Sequence, residues 1–314
     1  MGECIHAVEE AFRELALEAA RMPHRVSLPI PLQGGWLGVM PAFLPHAESL
    51  TTKIVTVYPH NLTSHNIPNV LAAIIVNDIE TGRVEAVMDG SEITAMRTGA
   101  VSAVATKYLA RQSATRVGLF GAGVQARKQL QAMREVRKIE YVKVYDTNKE
   151  LAKNLTVSLS TDSAVDASVA HSPDEVVQES DIIATATTSS TPVFNGRLLQ
   201  PGTHINAIGA FTPSTREVDS ETVAASKIVV DSIEAALEEA GDILIPLKEG
   251  VIQRQNIWAE LGELVIGRKR GRTSEQERTL FKSVGLGIQD AAVAKLVLQK
   301  AQNLDVGVKF DLEV

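Results

Sequence analysis

The sequence predicts an α/β chain, a doubly wound parallel sheet joined to an α+β domain, and three observations predict it. From Thr115 onward short apolar runs alternate with helical periods, as crossover connections between parallel strands require. Before that point several strand-like runs follow one another through short turns, the pattern of a meander. Between the two the period changes with no internal repeat and no low-complexity linker. This places residues 1–112 plus 288–314 in one domain and 113–287 in the other. The chain of 314 residues is long enough for two domains, and 45% hydrophobic with 22% charged residues is the composition of a folded globular protein.

The elements follow in order. MGECIHAVEEAFREL sets Ile5, Val8, Phe12 and Leu15 on one side of a helix. Pro23, Pro29 and Pro31 mark an irregular or edge-strand region, and GGWLGVMPAFLP reads as a hairpin with Gly34 and Gly35 at its turn. TTKIVTVYP, VLAAIIVND and IETGRVEAVMDG continue the strands. SEITAMRTGAVSAVATKYLAR is helical, with Ser91 as N-cap and Thr94 three positions on. RVGLF, YVKVYD, IIATATT, HINAIGA and KIVVDS then read as strands, and residues 124–136, 148–159 and PDEVVQESD as helices. The closing ERTLFKSVGLGIQDAAVAKLVLQKAQ reads as one long helical pattern that returns the chain to the first domain.

Composition removes several function classes. A net charge of -7 and 4% aromatic residues argue against a nucleic-acid partner. The basic run GRKRGR at 267–272, flanked by Gly267 and Gly271, reads as a solvated loop. Cys4 is the only cysteine, so there is no intrachain disulfide and no CxxC metal site, which fits a cytoplasmic protein. The first residues lack the basic and apolar regions of a signal peptide, and no apolar stretch reaches the roughly 18 to 20 residues of a membrane span. His24, His46, His60 and His65 show no paired spacing for a metal. Neither a GxSxG elbow nor a GxxxxGK[ST] loop is present.

The chemistry begins at RVGLFGAGVQARKQ, residues 116–129. Gly121, Gly123 and Ala126 have the GxGxxA spacing between a strand and a helix: a tight turn, a close approach of backbone to pyrophosphate, and close packing of helix on strand. The helix start would hold the phosphates by its free N–H groups and dipole. Asp146, 25 residues after Gly121, stands where a carboxylate accepts hydrogen bonds from an adenosine ribose. It also suits a turn or helix cap. A carboxylate there would repel a 2′-phosphate, which favours NAD, with NADP the alternative.

Three cations occupy unusual places in the first domain. Strand periodicity puts Lys53 on one face with Val55 and Val57, either lining a pocket or at the strand's wet end. Arg97 lies on the apolar stripe of its helix with Ile93, Ala100, Val101 and Val104, where a guanidinium needs a carboxylate or similar group. That group is a substrate anion or a structural partner. Arg25 stands between two prolines on an expected strand. Together the three would bind a small anionic α-amino or α-imino acid beside a nicotinamide.

The blocks TTKIVTVYPHN, IETGRVEAVMDGSEITAMRTGAVSAVATKYLAR, VGLFGAGVQARKQ, INAIGAFTPSTREVD, GELVIGRKRGR and TLFKSVGLGIQDAAVA resemble, in order, the ornithine cyclodeaminase/mu-crystallin family. The resemblance implies a homodimer, with an N-terminal dimerisation and substrate domain that recruits the C-terminal helix, and a Rossmann domain for NAD(P). Carried over by motif, Arg25, Lys53 and Arg97 match substrate-binding residues, with Lys53 beside the reacting carbon. Arg97 and Thr98 of the RTGA block, Gly121, Gly123, Val124, Gln125 and Asp146, Thr185 and Thr187 of TATTS, and Ser283 of FKSVG match the cofactor site. One departure stands out: the aspartate that cyclodeaminases use toward the substrate's side-chain amine corresponds to Phe211 in GAFTPSTREVD. A phenyl ring can neither take a proton nor pair with an ammonium. The resemblance therefore implies an oxidoreductase that moves a hydride between nicotinamide and the α-carbon of a small cyclic imino acid or amino acid, of the pyrroline-2-carboxylate reductase, ketimine reductase or alanine dehydrogenase type. The alternatives are an ornithine cyclodeaminase that recycles bound NAD, and a crystallin-like ligand-binding protein.

Overall fold

A computed structural model describes residues 1–163 and 165–310. The chain divides into two compact units, Glu3–Arg97 with the described residues from Leu286 onward, and Met1–Gly2 with Thr98–Gly285. The division falls inside the helix Gly90–Leu109, earlier than the change of period near residue 112.

The smaller unit holds β1 (Val26–Ile30), β2 (Gly35–Leu44), β3 (Ser49–Val57), β4 (Val70–Asn77) and β5 (Val84–Asp89), an antiparallel meander in the order β1-β2-β3-β4-β5. Its first helix, Gly2–Ala16, buries Ile5, Val8 and Phe12 as the periodicity predicts, while Leu15 is half-buried. The same face buries Glu14, whose carboxylate accepts the N–H groups of His46 and Ala47 at 3.1 Å each. Two details differ from the sequence reading. The first hairpin turns through Pro31–Gln33 and closes on Gly34 at φ 61°, a left-handed conformation suited to glycine, while Gly35 already opens β2. The helix Gly90–Leu109 is capped by Asp89, which accepts the Ser91 N–H at 2.9 Å. Ser91 turns its hydroxyl to accept the Ala72 N–H of β4 at 3.2 Å instead, so the cap lies two residues upstream. The last helix, Gly287–Leu304, packs its first turn on the meander, where the Ser49 hydroxyl donates to the Ala291 carbonyl at 2.9 Å.

The larger unit is a parallel sheet of β6 (Arg116–Phe120), β7 (Tyr141–Tyr145), β8 (Asp166–Val169), β9 (Ile182–Thr185), β10 (His204–Ala207), β11 (Lys227–Val230), β12 (Ile257–Glu260) and β13 (Thr279–Lys282). The strand order is β12-β11-β13-β10-β9-β6-β7-β8. Alternate residues feed two cores: Val117, Leu119, Ile182 and Ala184 enter one, and Phe120, Ile183, Ile205 and Leu280 the other. Burial on both faces is why these strands read as continuous apolar runs. The closing pattern of the sequence is corrected here, because TLFK is a strand between β10 and β11 and the helix starts only at Gly287. A short run buried on both faces has no period to separate it from helix. No helix among the described residues is long and apolar enough to cross a membrane.

Candidate active site

In the larger unit the strand order reverses between β6 and β9, the switch point at which doubly wound sheets bind ligands beyond their C-terminal strand ends. Phe120 ends β6, Gly121 turns the chain at φ 94°, and Gly123 precedes the helix Val124–Val136. A Cβ on Gly121 would stand 2.6 Å from the Ala186 carbonyl oxygen in the loop after β9, so only glycine closes this turn. A Cβ on Gly123 would meet nothing within 4 Å, and no side chain caps the helix that follows. Open space in front of uncapped N–H groups suits a pyrophosphate. Val124 is exposed beside it, and the Gln125 side-chain oxygen is buried with no partner among the described residues, an acceptor ready for a ligand's donor. Asp146 follows β7 and accepts the Ala122 N–H at 2.8 Å and the Asn148 N–H at 2.7 Å. It thus fixes the glycine turn and starts the next turn. The residues present fit a dinucleotide.

The remaining cofactor candidates are tied down by buried carboxylates that the sequence reading missed. Thr185 and Thr187 donate their hydroxyls to Glu217 at 2.8 Å each, and the N–H groups of Thr187 and Gly209 reach the same carboxylate at 2.6 Å. Glu217 therefore ties the loop after β9 to the loop after β10. Burial and neighbouring Asp242 push its carboxyl up from the ordinary range, while Lys282 and the Thr187 hydrogen bonds oppose that push. Asp242 is itself paired with Lys282 at 2.7 Å. Ser283 follows β13 and donates to Asp231 at 2.7 Å, separated from β9 in the sheet by β10. The Thr98 carbonyl accepts the Gln129 side-chain amide at 3.0 Å, one turn after Gln125 on the same helix. Phe211 is half-buried against the core that contains Phe120 and Phe194.

The smaller unit gathers the cations. Lys53 is 1% exposed, with Met40 of β2 and Ile74 of β4 as its register neighbours, so it faces the interior and does not sit at a wet strand end. Its Nζ lies 2.5 Å from Oδ2 of Asp290, and Oδ1 of the same carboxylate accepts Nε of Arg97 at 3.2 Å. Arg97 also donates from Nη1 to the Gln289 carbonyl oxygen at 2.8 Å. That bond leaves the buried Gln289 Nε2 as a donor with no partner among the described residues. Arg25 lies just ahead of β1, and its charge reaches Lys53. Burial pushes the Lys53 ammonium down to about 8, against the pull of Asp290 and with help from Arg97 and Arg25. One carboxylate facing two cations leaves the cluster positively charged, a setting for an incoming carboxylate. Gln289 and Asp290 had a signal in the sequence. They sit among Gly287, Ile288, Ala291 and Ala292 on a buried helical turn, where polar groups need partners just as Arg97 does.

The family model of the ornithine cyclodeaminase/mu-crystallin family matches residues 1–305. The chain is 40% identical over 312 residues to Delta(1)-pyrroline-2-carboxylate reductase of Bacillus cereus, covering 99% of this chain and 95% of that protein. The structure of the Thermococcus litoralis Delta(1)-pyrroline-2-carboxylate reductase, in complex with NADH and L-proline, matches at TM-score 0.96 and 48% identity over 98% of this chain and 95% of that one. An archaeal alanine dehydrogenase dimer with bound NAD matches at TM-score 0.94 and 40% identity, covering 100% of this chain and 95% of that one.

Proposed function

The chain belongs to the ornithine cyclodeaminase/mu-crystallin family, and from that premise we propose that it reduces a small cyclic imino acid of the pyrroline-2-carboxylate type to the corresponding amino acid. It is an oxidoreductase with NAD as cofactor, supported by relatives that are reductases and dehydrogenases and by neighbours bound to NADH or NAD. The observation that carries the substrate class is the buried, positively charged cluster of Lys53, Arg97 and Asp290 with its unspent amide donor on Gln289. The nicotinamide, when bound, supplies the hydride. Arg97 and Arg25 hold the substrate carboxylate, with Gln289 Nε2 as a further donor, and this fixes the imine carbon in one orientation. Lys53 gives its proton to the imine nitrogen, a role suited to an ammonium whose proton affinity is lowered to about 8. Gly123 and the uncapped helix start hold the pyrophosphate, and Asp146 stands toward the adenosine ribose. Phe211 in place of a carboxylate favours a substrate that is already cyclic over open-chain ornithine.

The homodimer belongs to the outward face of the meander. Val39, Ile54, Leu71, Ile75 and Val87 share that face by register, and Ile54, Leu71 and Val87 are exposed at 39%, 39% and 50%. A second copy is the occupant we assign, in keeping with the dimeric alanine dehydrogenase neighbour. A soluble NADH-dependent imine reductase belongs in the cytoplasm, which cell fractionation checks.

The test is a cofactor assay with pyrroline-2-carboxylate, piperideine-2-carboxylate, and pyruvate with ammonia, run beside ornithine with NAD. NADH consumption with a cyclic imine is expected, and Lys53→Met is expected to lower kcat at least ~100-fold, in the range of general-acid contributions. Ammonia from ornithine without net NADH would establish a cyclodeaminase instead, and unchanged turnover in Lys53→Met would remove Lys53 from the chemistry.

A further inference from the structure

Asp290 is fully buried, faces two cations, and has no part in the reaction described above. Its backbone is fixed independently of them. Gly287 opens the helix against β2, where a Cβ would come within 3.2 Å of the Pro41 carbonyl oxygen, and Ser49 of β3 anchors the Ala291 carbonyl. The first turn of that helix favours a negative side chain. One oxygen of Asp290 goes to Lys53 and the other to Arg97, so a single rigid carboxylate sets the spacing between an ammonium and a guanidinium.

We infer that Asp290 is a positioning residue, which keeps Lys53 protonated and aimed until its proton is delivered and fixes Arg97 as the carboxylate clamp. The inference rests on the imine-reductase reading for its chemistry. In the step it serves, hydride adds to the imine carbon and the C=N π pair takes the proton from Lys53 Nζ. The imine is reduced to the amine and NADH is oxidised to NAD, leaving a neutral Lys53 that is reprotonated from water. The charged groups facing Lys53 are Asp290 from the last helix, Arg97 from Gly90–Leu109 and Arg25 from the segment before β1; its strand neighbours Met40 and Ile74 carry no charge. Asp290 is the only one of these that favours the ammonium. Without it the two arginines remain, and Lys53 loses its proton at lower pH.

The experiment uses Asp290→Asn and two readouts in the full-length protein. The first is calorimetric binding of pyrrole-2-carboxylate, a planar cyclic carboxylate with no titrating group of its own near neutrality, from pH 6 to pH 10. The second is the pH profile of kcat for imine reduction. In the wild type both fall as pH rises through the Lys53 transition near 8. In Asp290→Asn both midpoints are expected to move down by at least about one pH unit, a tenfold loss of proton affinity. At pH 6 the variant is expected to bind the probe at least as tightly as the wild type, because the Asn side-chain oxygen still accepts Arg97 Nε and keeps the clamp in place while the cluster gains net positive charge. A merely structural role predicts weaker binding at every pH with an unmoved midpoint, and that result would overturn the inference. If Asp290→Asn does not fold, judged by loss of NADH binding, Asp290→Glu decides. It keeps the charge and moves it by one methylene, so an unmoved midpoint with kcat lowered at least tenfold is expected, and unchanged kcat overturns the inference. Should the wild type reduce no imine, the functional reading fails, while the probe titration still decides the role of Asp290.

Discussion

His204 shows what an ionisable residue does when the surrounding fold refuses its charge. It lies fully buried in β10, where Nδ1 meets the Thr279 hydroxyl at 3.0 Å and Nε2 meets the Asn206 side-chain oxygen at 3.2 Å. A carbonyl oxygen can only accept, so Nε2 carries a proton. Burial above all, then the nearby Arg272, hold its protonation down to about 3 against an ordinary 6.5. The unfolded chain therefore takes up the proton first, and stability is full above pH 6.5 and lost as pH falls toward 3. The slope in that window is about 1.4 kcal/mol per pH unit, on the order of 5 kcal/mol across it. Glu217 shifts the opposite way and partly offsets the acid loss, so the comparison must be between variants. Denaturant unfolding at pH 7, 6 and 5 should show His204→Gln less stable at pH 7 by about 1–3 kcal/mol yet flatter with pH than the wild type. Parallel slopes would mean that His204 is not the buried neutral group described here.

The turn from β6 into the helix Val124–Val136 separates two uses of glycine that the spacing alone joins together. Gly121 is at φ 94° and faces the Ala186 carbonyl, so Gly121→Ala meets both backbone strain and a collision. A stability loss above about 2 kcal/mol is expected, together with loss of NADH binding. Gly123 has an ordinary φ of -82° and open space ahead of it. Gly123→Ala should leave the melting temperature within about 2 °C while weakening NADH at least tenfold, because its methyl occupies the approach to the pyrophosphate; equal NADH affinity would put the phosphates elsewhere. Elements of this kind were legible because their residue types are scarce: glycines at a fixed spacing, a charge on an apolar face, prolines at a hairpin. The strands DASV, IWAE and TLFK were not: TLFK is buried on both faces and carries no period, while DASV and IWAE are edge strands of four residues, too short for their alternation to be read. The site divides in the same way. Lys53, Arg97 and, on its apolar helical turn, Asp290 announce themselves by charge in apolar surroundings, whereas Glu217 acquires its task only when the loops after β9 and β10 meet it.

At the scale of the whole molecule, the outward face of the meander is an apolar surface that a single chain leaves open. Pairing in register aligns Val26 and Leu28 of β1 with Val39 and Leu37 of β2, continues through Ile54 of β3, and ends on Ile75 and Val87 of β4 and β5. The inner face of the same strands carries Met40, Lys53, Val55 and Ile74 and is buried, so the outer face is apolar beyond what folding of one chain uses. A two-fold pairing of this patch with itself removes it from water without requiring a second surface. Sedimentation velocity at micromolar concentration is expected to show a dimer, with a melting temperature that rises with protein concentration. Ile54→Lys combined with Val87→Lys sets charges into the middle of the patch, and this variant should sediment as a monomer with a lower melting temperature. NADH binding, whose proposed residues all lie in Thr98–Gly285 apart from Arg97, serves as the control for folding and is expected to survive dissociation. A wild-type monomer, or a double variant that still sediments as a dimer, would place the interface on another surface.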